Sequence, residues 1–329
     1  MKAVQFRNQK ISLIEAPLPA ISDAEARVQV MMAGICATDV ALFHGYQQFA
    51  GIPGHEFVGM VEAAPGAPEM VGKRVVADIN VGCGNCAWCR SGNTRHCPSR
   101  QAIGIRGRDG AFAECVAVPL ANLVVLPEGL ETIDAVFAEP SAAALEIARQ
   151  IHIRHDTKIA VLGDGRMGQL CAQALSLYSS RVQMLGRHEE KLAIAAAQGI
   201  GRDNVAGVFD PAGKVLAGRH ARAFDLVVEA TGRPEGVNQA LQLARSEGTV
   251  VVKTTSHQSS DLDLAELVVR EITLLGSRCG DVGFAVQCLA KGRIKPAALV
   301  DGVYAFSEFK AAFERAASRG SGKVLLAFA

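Results

Sequence analysis

The chain lacks any imbalance of charge: 34 Lys and Arg stand against 33 Asp and Glu, a formal net charge of +1 over 329 residues. Without a basic excess there is little to hold a phosphate backbone, so no nucleic-acid partner is expected. It also lacks an uninterrupted apolar run near the ~18 residues that a membrane span requires, so no membrane partner is expected. The first ten residues, MKAVQFRNQK, carry charges but no apolar stretch of the kind found in a secretory leader. A cytoplasmic location is therefore expected. Internal repeats, low-complexity tracts and recognisable linkers are missing too.

What is present is ordinary globular composition, 49% apolar and 20% charged, in a length that suits two domains. Up to about residue 145 the chain is rich in Gly, Pro and Val. Short extended runs (ARVQVMMAG, EFVGMVE, KRVVADI, NLVVLP) separated by turn residues predict a β-rich domain. From Ser141 the character changes. The segment SAAALEIARQ is helical in composition, and strands then alternate with helical segments as far as ITLLGS at 272–277. That alternation predicts an α/β domain with a doubly wound parallel sheet and helices on both faces. The tail predicts one amphipathic helix and a closing strand.

In KIAVLGDGRMGQLCAQAL, Gly163, Gly165 and Gly168 have GxGxxG spacing between a strand and a helix. The first glycine permits the tight turn, the second lets a pyrophosphate approach the backbone, and the third lets helix and strand pack closely. A dinucleotide site is expected there. About 20 residues on, an NAD site usually carries an acid for the ribose 2′-hydroxyl. Here the strand RVQML ends in Gly186, Arg187 and His188, which leaves space and positive charge for a 2′-phosphate, so NADP is favoured over NAD. Arg187 read as a solvated surface residue, or Glu189 and Glu190 read as the late acid, keeps NAD open.

Four of the nine cysteines fall within residues 82–97, GCGNCAWCRSGNTRHC. In a reducing compartment such clusters bind metal more often than they form disulfides. Cys83, Cys86, Cys89 and Cys97 have spacing suited to a closed tetrahedral zinc site, which leaves no position for a substrate. A second, dispersed set comprises Cys36, Thr38 and Asp39 in GICATD, His55 and Glu56 in GHEFVG, and Glu139 in AEPSAAALE. Cys, His and Glu all bind zinc, and three protein ligands leave room for water or substrate. Singly, each also reads as an ordinary core, surface or helix-start residue.

The motifs GICATD, GHEFVG, the four-cysteine lobe, DGAFAECVAVP, AEPSAAALE, GDGRMG, VEATG and GKVLL occur in this order. Together they resemble the zinc-dependent medium-chain dehydrogenase/reductase family, the alcohol dehydrogenase-like proteins, most closely the polyol, threonine and glucose dehydrogenase branch. The resemblance implies a GroES-like catalytic domain over 1–145 and 280–329, with its zinc lobe at about 82–98. It implies a Rossmann coenzyme domain over 146–279 and an active site in the cleft between the two. By the resemblance, Cys36 and His55 match catalytic-zinc ligands, Glu56 the carboxylate ligand of this branch, and Glu139 a second carboxylate. Thr38 matches the hydroxyl that exchanges a proton with substrate, and Asp39 the acid that orients the zinc-bound histidine. Thr231 and Gly232 lie where the family's loop approaches the nicotinamide ribose.

Three departures stand out: Ala41 replaces a relay histidine, with His44 nearby reading as a surface residue; Cys115 replaces a frequent aromatic; and the chain is short for the family. The function implied is hydride transfer between an alcohol, or its aldehyde or ketone, and NADP or NAD. Two zinc ions per subunit and a homodimer or homotetramer are expected. A zinc-independent enoyl or quinone reductase, or a non-catalytic NAD(P)-binding relative, is the alternative. A nucleic-acid module built on the cysteine lobe finds no support in the near-neutral charge.

Overall fold

Buried and exposed residues alternate along the strand Glu25–Ile35: Ala26, Val28 and Val30 are buried while Gln29 is exposed. This period of two is what one packed face of a sheet demands. The structure, a computed structural model, describes residues 1–7, 10–45, 49–216, 218, 220–255 and 261–328. The chain divides into two compact units. One comprises Met1–Glu139, Val282–Gly292 and Leu299–Ala329; the other comprises Pro140–Asp281 and Arg293–Ala298. These boundaries differ by a few residues from those expected at 145/146 and 279/280, and residues 293–298 go with the second unit rather than with the catalytic segment.

The first unit is built on a seven-stranded sheet. In order it runs Leu123–Val125, Arg74–Ala77, Glu56–Ala63, Glu25–Ile35, Lys323–Ala327 and Val300–Ala305, with Cys115–Pro119 also paired to Glu25–Ile35. The closing strand Lys323–Ala327 thus enters the middle of the sheet, antiparallel to Glu25–Ile35, with Val324 opposite Ile35 and Leu325 opposite Gly34. On the other side of Glu25–Ile35, Gly34 lies opposite Glu56. A core of buried side chains that includes Val28, Ile35, Val75, Phe112, Phe313 and Leu326 covers the sheet. The helix Val282–Ala290 and the strand Val300–Ala305 were not foreseen from sequence. Cysteine-rich residues 82–98 form an excursion whose ends are pinned by antiparallel pairing of Asn80 with Ala102 and Val81 with Gln101.

The second unit holds six parallel strands in the order Gly201–Asn204, Val182–Gly186, Ile159–Leu162, Phe224–Glu229, Ala244–Val252 and Thr273–Gly276. In chain order this is 3-2-1-4-5-6, the doubly wound arrangement expected from the strand–helix alternation. Right-handed crossovers in that order place the connecting helices on opposite faces. The central strand Ile159–Leu162 is buried along its whole length, as a strand covered on both faces must be. Helix Ala138–Gln150 begins before Ser141 and carries Pro140 in its first turn, where a missing N–H costs nothing. Among the described residues no helix is long and apolar enough to cross a membrane.

The strand order reverses between Ile159–Leu162 and Phe224–Glu229, and the glycine loop leaves the first of these at that switch point. Gly163 has φ +117°, and a Cβ there would lie 2.5 Å from the carbonyl oxygen of Ala230. A Cβ on Gly168 would collide with the carbonyl oxygen of Gly163, so helix Arg166–Ser176 packs against its own loop backbone to backbone. Gly168→Ala is therefore expected to cost at least the roughly 1–3 kcal/mol of an overpacked core. Thermal unfolding of the variant tests this, and an unchanged melting temperature would refute the close packing.

Candidate active site

The strand Glu25–Ile35 delivers Cys36 to the N-cap of the short helix Ala37–Phe43. Asp39, in the first turn of that helix, folds back and accepts a hydrogen bond from the Cys36 backbone N–H at 2.8 Å. Its other oxygen lies 3.2 Å from His55 Nδ1, and both side chains are buried. Burial alone would lower the pKa of His55; the charge and contact of Asp39, with a smaller effect from Cys36, outweigh it and hold the ring well above its ordinary value. A carboxylate at Nδ1 fixes the ring and leaves Nε2 for another partner.

Ligand atoms of Cys36, His55 and Glu56 lie within 4.8 Å of one another. Thr38 Oγ1 is 3.7 Å from Cys36 Sγ. Glu139 stands outside that cluster. Desolvation raises its carboxyl to about 7, with His55 and Lys323 pulling the other way and Glu56 and Asp78 adding to the rise. Sequence reasoning missed Lys323, although it lies in the quoted GKVLL. It is 3% exposed, its Nζ is ion-paired with Glu56 Oε2, and it lies 5.7 Å over the Phe137 ring. His44 is exposed, its ring against Phe43, and Cys115 is a small buried residue, both as expected. The donor set fits a divalent cation. A thiol, an imidazole and a carboxylate converge, and a further desolvated carboxyl nearby would gain from positive charge.

Sulfur atoms of Cys83, Cys86, Cys89 and Cys97 also lie within 4.8 Å of one another, and all nine cysteines are free. Cys86 caps the short helix Ala87–Arg90, its sulfur accepting from Cys89 N at 3.4 Å, and Cys97 Sγ accepts from Cys83 N at the same distance. Backbone N–H groups of Asn85 and Cys86 lower the Cys83 thiol to about 6, whereas desolvation pushes Cys89 up to about 11. Four converging sulfurs without a disulfide suit a closed thiolate site.

In the second unit, Gly165 is the N-cap of helix Arg166–Ser176, and a Cβ on it would meet nothing within 4 Å. Open space at a helix N-terminus beside a glycine turn suits a pyrophosphate. Gly186 ends the strand Val182–Gly186, and Arg187 is exposed beside it. Thr231 Oγ1 donates to Glu229 Oε1 at 2.6 Å, and Thr254 Oγ1, which also donates to Glu229, accepts from Gly232 N at 2.9 Å. The fully buried Glu229 thereby organises the loop holding Thr231 and Gly232. It lies in VEATG, where the sequence alone gives a buried acid no mark.

Residues 22–128 match the alcohol dehydrogenase GroES-like domain, and residues 167–291 match the zinc-binding dehydrogenase family. An L-threonine 3-dehydrogenase of Streptomyces avermitilis is 29% identical over 327 residues, covering 95% of each chain. The crystal structure of the alcohol dehydrogenase rspB from Escherichia coli CFT073, complexed with NADH, superposes with a TM-score of 0.89 at 27% identity. The match covers 100% of this chain and 99% of the other. A zinc-binding dehydrogenase from Sinorhizobium meliloti 1021 bound to NADP gives 0.87 at 29% identity, over 99% and 98% of the two chains. With both units matched, the chain belongs to the zinc-dependent medium-chain dehydrogenase family and is an alcohol dehydrogenase-like oxidoreductase that uses a nicotinamide dinucleotide.

Proposed function

We propose that this chain transfers a hydride reversibly between a small polar alcohol, of the polyol or amino-alcohol kind, and a nicotinamide dinucleotide. The observation that carries the reading is the convergence of Cys36, His55 and Glu56 with the Thr38 hydroxyl beside them. Zinc held there would supply a Lewis acid toward the substrate oxygen, and the dinucleotide would take or give the hydride. Thr38 is the one hydroxyl-bearing residue of helix Ala37–Phe43. In oxidation its oxygen accepts the alcohol proton while its own hydroxyl proton passes on to water, and reduction runs the same transfer backwards. Asp39 holds His55 in its ring orientation, Lys323 balances the charge of Glu56, and Glu139 contributes a second carboxylate to the same surroundings.

Cys83, Cys86, Cys89 and Cys97 would hold a second zinc, and so held would fasten the excursion at 82–98. Gly163, Gly165 and Gly168 receive the pyrophosphate, and Thr231 and Gly232 approach the nicotinamide ribose. Arg187 at the end of its strand carries a charge suited to NADP, and Asp164 in the glycine loop brings charge of the opposite sign, suited to NAD, to the same strand end. Self-association into a dimer or tetramer is supported by the edge strand Thr273–Gly276, mostly exposed, and by exposed Val268 and Val269 just before it.

Cys36→Ser is expected to lower turnover about a thousandfold or more, because several kcal/mol of Lewis-acid stabilisation depend on the bound metal. NADH affinity should persist, and elemental analysis should show one zinc per chain where the parent has two. Retained activity would sink the catalytic-zinc assignment. Thr38→Ala should keep both zincs yet lose roughly 10²–10⁴-fold in kcat, the range for a positioned acid–base group; a change confined to KM would argue against proton transfer. Cys89→Ser should act through stability instead, since metal binding and folding are coupled in such lobes. Its melting temperature should fall, whereas full thermal stability with one zinc lost would remove the fastening role.

A further inference from the structure

Between Gly163 and Gly165 the dinucleotide motif leaves one position unspecified, and here it is Asp164. Its side chain is 7% exposed and reaches across to the end of the neighbouring strand Val182–Gly186. There Oδ2 accepts hydrogen bonds from the backbone N–H groups of Arg187 at 2.5 Å and His188 at 2.8 Å. His188 Nδ1 lies 3.1 and 3.0 Å from the two carboxylate oxygens. Gly186 makes this possible, because a Cβ there would lie 2.6 Å from both Cβ and Oδ2 of Asp164.

NAD-binding folds of this strand order usually carry an Asp or Glu of the strand end itself, where it binds the ribose 2′-hydroxyl. In this chain the strand ends in glycine, and the carboxylate at that end arrives from the glycine loop. We propose that Asp164 is the residue that discriminates between coenzymes, selecting the 2′-hydroxyl of NAD against the 2′-phosphate of NADP. The inference rests on the reading of residues 163–168 as a dinucleotide site.

Three features carry it. An ionised carboxylate has about four lone-pair sites. The two backbone N–H groups and the imidazole leave acceptor capacity on Oδ1 for a hydroxyl, but only like charge for a phosphate. The N–H groups of Arg187 and His188 open the helix Glu189–Ala196, where free donors would draw an anion; here Asp164 has taken them. Arg187, the ground for expecting NADP, has its charge in solvent, where screening is strong, while Asp164 is buried. Burial alone would raise the Asp164 carboxyl, but the bonds from His188 and Arg187 outweigh it and keep it below its usual range, so it is charged at neutral pH.

The test is equilibrium binding of NADH and NADPH to the zinc-loaded chain, followed by nucleotide fluorescence without turnover. The parent should bind NADH at least tenfold more tightly than NADPH; a preference for NADPH overturns the proposal whatever the variants do. Asp164→Asn keeps an acceptor for the two N–H groups and removes the charge. It should shrink the NADH/NADPH ratio at least tenfold, chiefly by tightening NADPH. A folded Asp164→Asn protein with the parental ratio, alongside Arg187→Ala losing NADPH selectively, would return the discrimination to Arg187. Failure of the parent to bind either nucleotide would instead sink the dinucleotide reading itself.

Discussion

Lys323 and Glu56 are 267 residues apart in sequence and meet as a buried ion pair, 3% and 1% exposed. They can meet because Lys323 begins the closing strand, which lies on one side of Glu25–Ile35, while Glu56 begins the strand on the other. Gly34 pairs with Glu56 on one side and, on the other, with Leu325, two residues along the strand from Lys323. A Cβ on Gly34 would fall 2.7 Å from Glu56 Oε2 and 3.3 Å from Lys323 Cδ, so the pair spans a side chain that is not there. Such a pair adds little over a well-packed apolar alternative, but removing one partner strands a buried charge at a cost of about 3–5 kcal/mol. The end of the chain is thereby committed to the strand that presents Cys36.

That commitment sets the charge balance of the site. Asp39, Glu56, Glu139 and the Cys36 thiol gather about His55, and Lys323 is the fixed cation among them. Burial opposes charge on both His55 and Glu139. At His55 the Asp39 carboxylate outweighs it and holds the ring well above its ordinary value. At Glu139 burial itself raises the carboxyl to about 7, with Glu56 adding to the rise and His55 and Lys323 opposing it. Protons and a divalent cation compete for the same excess of negative charge. Asp39 serves both sides of this competition. It anchors the start of helix Ala37–Phe43 through Cys36 N and fixes His55 through Nδ1, so backbone and ligand geometry depend on one carboxylate.

The cysteine lobe and the glycine loop were legible in the sequence because their chemistry is local. Spacings of three, three and eight residues bring the four sulfurs together, and GxGxxG acts within one turn. Strand–helix alternation likewise announced the parallel sheet, whose central strands are apolar runs such as Ile159–Leu162. The edge strand Gly201–Asn204 escaped because its sequence is GRDN, polar and largely exposed, with no alternation to read. Lys323 escaped for another reason: a lysine at the start of an apolar strand looks solvated until its closeness to Gly34 and Glu56 is known. Asp164 escaped because the glycine pattern assigns its position no identity.

These omissions share one physical form. In the sequence Gly186 reads as space and Gly34 carries no mark, but at both the volume of the missing side chain is taken by a carboxylate from another element. Glu56 fills the first and Asp164 the second, and Gly236 gives way to Glu229 and Thr231 in the same manner. Each carboxylate then makes contacts that a residue native to that position could not make. Glu56 reaches Lys323, Asp164 binds the two N–H groups beyond the strand, and Glu229 binds the loop that follows it. At Gly34 and Gly186 charge is brought to a neighbouring strand by a side chain whose own backbone is anchored elsewhere, so its position is fixed by two elements instead of one. The glycine shows where such a charge can stand, and only the fold shows which residue supplies it.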